Sequence, residues 1–188
     1  MTQVTIPGPT VPPGTPVHTR WGWVTAYVLV AAAVLTAAQL WAMSGFMQAY
    51  LRQLTFLLTT MRTRPGTAAP SPMIEMYSSM MPMTIAFTLI GLLNWGLLAL
   101  GVVAAYRDHE ELGRLGYPKR FHWAWSFLNP VYPIGRAVVV HRQAGAGWAT
   151  LWVAIAATAA TFLISIGWSM WLLITMFDAI ASMSRMAI

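Results

Sequence analysis

Three long runs without a charged side chain dominate the hydropathy pattern of this chain. The first lies between Arg20 and Arg52 and is most apolar over 21–46. The second covers 83–106 and stops at Arg107, and the third covers 148–177, before Asp178. At about 1.5 Å per residue each is long enough to cross a hydrocarbon layer of roughly 30 Å. A lone segment in such a layer must satisfy its own backbone groups, so the pattern predicts three transmembrane α-helices. Aromatic residues sit where interfaces are expected: Trp21 and Trp23, then Tyr106, then Trp148 and Trp152. The first run exceeds the roughly 7–15 residues of a signal-peptide core and follows a Pro- and Thr-rich stretch, so it is read as a retained span.

A fourth apolar stretch, 121–140, is broken by Asn129-Pro130, Tyr132-Pro133, Gly135 and Arg136. Proline removes a backbone donor, and an arginine at mid-bilayer costs about 2.5–3.5 kcal/mol on the insertion scale. The stretch is therefore expected to form two short helices meeting at 129–133, interfacial or re-entrant. A kinked fourth crossing is the competing reading. Residues 1–19, with five prolines and two glycines, read as a flexible tail, leaving 20–188 as the helical membrane domain. Leu51, Leu54, Leu58 and Met61 recur at helical spacing and predict an amphipathic helix, either continuing the first span or lying on the outer surface. The prolines and glycine of 63–72 predict a linker. After the second span, Arg107 with Glu111 and Glu110 with Arg114 are four apart, which suggests a solvated helical extension laced by ion pairs, ending near Gly116-Tyr117-Pro118.

Composition sharpens this into a class: an all-α, polytopic helical membrane protein. Only 9% of the 188 residues are charged, against about 25% in a soluble domain, and 57% are apolar. Mean hydropathy is +0.60. There is no cysteine, so a disulfide scaffold is excluded. The net charge of +6 is read as topology and attraction to anionic lipid rather than to nucleic acid. With three spans, Arg20, Arg107, Arg114, Lys119, Arg120, Arg136 and Arg142 share one side, and Arg52, Arg62, Arg64 and Arg185 the other. That bias predicts a plasma-membrane protein with a cytoplasmic N-terminus and a cytoplasmic 107–147 segment.

The run RDHEELGRLGYPKRFHWAWSFLNPVYPIGRAVVVHRQAGAG resembles a segment of small actinobacterial polytopic membrane proteins to which no activity is assigned. The likeness covers roughly a fifth to a quarter of the chain and is carried by Gly116, the FHWAW run from Phe121 to Trp125, Pro130 and Arg136. Fuller members carry a tryptophan-rich N-terminal module that this sequence lacks. The resemblance implies a membrane protein and supplies no catalytic residues.

Candidate chemistry is sparse. All five acids lie outside the three apolar runs, and no phosphate-binding or dinucleotide motif is present. His109 beside Glu110 and Glu111 lacks the second histidine of a helical metal site. No enzyme activity and no cofactor are expected. Lys119, Arg120, Arg136 and Arg142 around Trp123 and Trp125 form a basic aromatic patch suited to anionic headgroups, with Arg136 held by the break before it. Ala157, Thr161, Ser165 and Ser169 recur every four residues, as do Ala33 and Ala37; such faces let helices approach closely, within this chain or with another. Met73, Met76, Met80 and Met83 repeat at helical spacing. Thioethers are soft ligands suited to Cu(I), and they are equally adaptable packing material. The leading expectation is a non-enzymatic accessory or scaffold subunit that packs with itself or other membrane proteins. The alternative is an oligomeric transporter or channel subunit, with the methionines handling a soft metal.

Overall fold

The computed structural model describes residues 11–12, 14–63 and 71–186, without the side chains at 58, 61–63, 71–77, 79–80, 183 and 185–186. Four α-helices follow in order: α1 (Arg20–Thr63), α2 (Ser71–Arg114), α3 (Val131–Ala144) and α4 (Trp148–Met186), with a 3₁₀ turn at Trp123–Leu128 before α3. No strand occurs among the described residues. Three helical stretches are long and apolar enough to cross a membrane, Arg20–Leu57, Met81–Arg114 and Trp148–Ser182. The amphipathic run at 51–61 continues α1 without a break. Most of the expected linker, 64–70, lies outside the described residues, and α2 starts earlier than the apolar run and contains Pro82.

The stretch 121–140 resolves into two short helical pieces, as its prolines require. The 3₁₀ turn ends at Asn129, whose φ of 38° lies in the left-handed region, and Pro130 precedes the first turn of α3. Pro133 falls in that first turn, where a missing N–H costs nothing. With 14 residues, α3 is too short for a crossing by itself.

Compact packing divides the described residues into two units, those within 1–34 together with 94–161, and those within 35–93 together with 162–188. In the first, Val11, Leu112, Tyr117 and Val140 form one buried cluster, and Leu29, Ala154 and Ala157 form another with Ile134 against it. The tail expectation needs correction here. Val11 is buried, Tyr117 donates its hydroxyl to the Pro16 carbonyl at 3.2 Å, and Thr19 is only 3% exposed, so the end of the Pro-rich stretch packs as a strap. Residues 1–10 lie outside the described residues. In the second unit, Phe46 meets Phe87 edge-on at 6.4 Å, and the Met83 methyl packs over Gly45.

Helix ends explain how the first unit closes. α2 is closed just past its end by Gly116, with φ +84°, where Tyr117 N–H bonds the Leu112 carbonyl at 3.1 Å and Gly116 N–H bonds that of Gly113 at 3.2 Å. This paired closure, with Tyr117 packed on Leu112, turns the chain toward α3. The turn is then pinned by Gln143 of α3, buried at 6% exposure. Its amide donates to the Lys119 carbonyl at 2.7 Å and accepts from Lys119 N–H at 3.1 Å.

Candidate functional site

One polar cluster is buried inside the first unit. Asp108 on α2 is fully buried, and Arg136 and Tyr132 on α3 are each 1% exposed. Arg136 Nε donates to Asp108 Oδ2 at 2.6 Å, and the Tyr132 hydroxyl donates to the same oxygen at 2.8 Å. Thr19 donates its hydroxyl to Asp108 Oδ1 and accepts from Arg136 Nη2 at 3.0 Å. The same Thr19 oxygen accepts the Gly22 N–H at 2.9 Å, which makes Thr19 the N-cap of α1. Arg136 Nη2 also reaches the Val17 carbonyl at 3.4 Å. A single ion pair thus gathers the strap, the start of α1, the end of α2 and the middle of α3.

Local sequence makes room for it. On α2, Ala104, Ala105, Asp108 and Leu112 lie on one buried face; on α3, Tyr132, Arg136, Val140 and Gln143 do the same. Gly22 lets the guanidinium lie against α1, since a Cβ there would stand 2.7 Å from Arg136 Cζ and force it to shift. Gly135 likewise leaves space for the Phe121 ring, which a Cβ would strike. Burial drives the Tyr132 phenol well above its ordinary range, with the Asp108 charge and hydrogen bond adding to the rise, so Tyr132 stays a neutral donor. Burial also raises Tyr117. Arg136 Nη1 is buried without a partner among the described residues. A carboxylate so fully occupied is a fixed counter-ion. Its proton acceptors are already committed to three donors, which suits a structural lock better than acid–base exchange.

The sequence pattern places Arg136 at lipid headgroups. Its guanidinium is instead enclosed by protein, because Asp108 supplies the charge that makes burial tolerable. Asp108 itself was grouped with a solvated extension, yet it is the most enclosed acid of that run. Lys119, Arg120 and Arg142 are exposed. Arg120 folds back to donate to the His109 carbonyl at 3.2 Å and lies over Gly113. The two expected pairs, Arg107–Glu111 and Glu110–Arg114, do not form among the described residues; Glu110 accepts the Tyr106 hydroxyl at 2.9 Å instead. His109 engages the Phe121 carbonyl at 2.9 Å through Nδ1.

The small-residue face divides along its length. Ala157 is buried against Leu29 and Ile134, and Thr161 returns its hydroxyl to the Ala157 carbonyl at 2.9 Å. Ser165 is half-buried, and Ser169 is exposed with its hydroxyl on the Ser165 carbonyl at 2.8 Å. Ala33 is buried and Ala37 half-buried. Of the methionine face, the side chains of Met73, Met76 and Met80 lie outside the described residues, and Met83 packs on Gly45.

Sequence reasoning missed Thr19, Asp108, Tyr132 and Gln143. A signal did exist: an acid on the apolar stripe of α2 and an arginine on the apolar stripe of α3 each require an opposite charge nearby. Comparison of the chain with family models, curated proteins and solved structures gives no match.

Proposed function

We propose that this chain is an integral, multi-pass membrane protein acting as a non-enzymatic accessory or scaffold subunit, packing with itself or with other membrane proteins. One observation carries the reading. The most apolar 18-residue window of the α2 span has no residue buried within the chain. Leu92, Leu93 and Trp95 on it are 62%, 57% and 72% exposed. Apolar surface on that scale needs lipid or a partner helix to cover it. The commitment of the Asp108 carboxylate to three donors supports a stiffened platform rather than a reacting centre. The cytoplasmic placement of the N-terminus and of 107–147 follows from the basic-residue bias, and exposed Lys119 and Arg142 remain suited to anionic lipid.

The less buried end of the small-residue face tests the assembly. Replacing Ser165 and Ser169 with Leu should reduce the cross-linked oligomer formed in nanodiscs by several-fold. Unchanged cross-linking would remove that face from the assembly surface.

A further inference from the structure

A second feature of the first unit is a charged cleft of about 320 Å³, bordered by Arg20 and Trp21 from the first turn of α1 and by Arg107, Glu110, Glu111 and Arg114 from the end of α2. Three guanidiniums and two carboxylates line it, yet none is ion-paired to another among the described residues. Arg20 stacks over the Trp21 ring at 5.0 Å. Glu110 is occupied by Tyr106. Glu111 Oε2 is buried and has no hydrogen-bond partner among the described residues. Glu111 lines the cleft, so a turn of its carboxylate brings this unpartnered oxygen to a donor there, and clustered guanidiniums demand an acceptor anion. One ligand meets both demands if an anion and an N–H-bearing cation sit a few bonds apart.

The position narrows the class. Trp21 opens the first apolar run, and Arg107 follows Tyr106 at the end of the second, so both lie at headgroup level if the chain crosses the membrane as proposed above. The volume falls at the small end of the roughly 300–1,000 Å³ of ligand sites, enough for a headgroup with its acyl chains outside. We infer that this cleft binds the headgroup of an aminophospholipid, with the phosphodiester on Arg20, Arg107 and Arg114 and the primary ammonium donating to Glu111. This rests on the membrane reading and adds a ligand to it. A choline headgroup has no N–H to give, and an anionic glycerol headgroup brings no cation, so either leaves Glu111 unpaired.

Native mass spectrometry of the full chain, released from micelles doped with phosphatidylethanolamine, phosphatidylcholine or phosphatidylglycerol of matched acyl chains, tests it. Ethanolamine lipid should be retained about tenfold or more over choline lipid, the ratio expected when a charged hydrogen bond is lost. Glu111→Gln should erase that preference, and Arg107→Gln should weaken retention of the ethanolamine lipid. Equal retention of all three lipids by the unaltered chain, or preference for the glycerol lipid, overturns the inference without recourse to any variant. Soluble glycerophosphoethanolamine separates the sources: retention equal to that of the lipid overturns the lipid assignment in favour of a free phosphodiester. Vesicle flotation separates the two levels. A chain that floats with vesicles but shows no ethanolamine preference refutes only this site, whereas a chain that does not float refutes the membrane reading.

Discussion

Removing one partner of an enclosed ion pair strands the other, and that asymmetry governs Asp108 and Arg136. Asp108→Asn keeps the shape but leaves a buried guanidinium uncompensated, at a cost of about 3–5 kcal/mol. Replacing both, Asp108→Leu with Arg136→Met, should recover most of that loss, because the desolvation of two charges vanishes together. Unfolding in detergent micelles measures both variants. A single substitution as stable as the parent would show that the pair holds nothing together. Thr19 and Tyr132 belong to the same accounting, since each spends its hydroxyl on Asp108.

Among the elements, α2 shows how local chemistry sets a boundary. Gly116→Ala places a Cβ on a residue with φ +84° and should cost about 1 kcal/mol or more, whereas Gly91→Ala, within the helix and facing open space, should stabilise by about 0.5–1 kcal/mol. Opposite signs in one micelle unfolding series are the expected result, and equal effects would contradict the turn geometry. The helices were legible because long uncharged runs need no tertiary information, and Gly116 marked a stop by its own conformational preference. The break at Asn129-Pro130 was legible for the same local reason. What could not be read was pairing across distance. Asp108 stands in a sequence of charges that looks solvated, and its partner follows 28 residues later on another helix. The strap was misread because proline content reports stiffness and turn tendency but not whether Val11 finds a groove. The clefted arrangement of Arg20 against Arg107 and Arg114 likewise arises from two helix ends meeting, which no spacing rule within one helix encodes.

For the whole molecule, sidedness is the property on which the functional reading turns. The chain has no native cysteine, so a cysteine at exposed Ala146 gives a clean reporter. An impermeant maleimide should label it only after cells are opened; labelling of intact cells would place the α3–α4 corner outside. The buried cluster also dictates a timetable. Thr19 and Arg136 are separated by 117 positions, so the start of the first helix leaves the ribosome long before the arginine that bonds its capping residue. At about 5–20 residues per second, synthesis alone imposes a delay of several seconds or more. During that interval the start of α1 lacks its partners, the tip of α2 waits a further 28 residues for Arg136 once made, and a nascent chain halted before α3 cannot latch. Quality control would therefore have a defined moment to distinguish finished chains from interrupted ones.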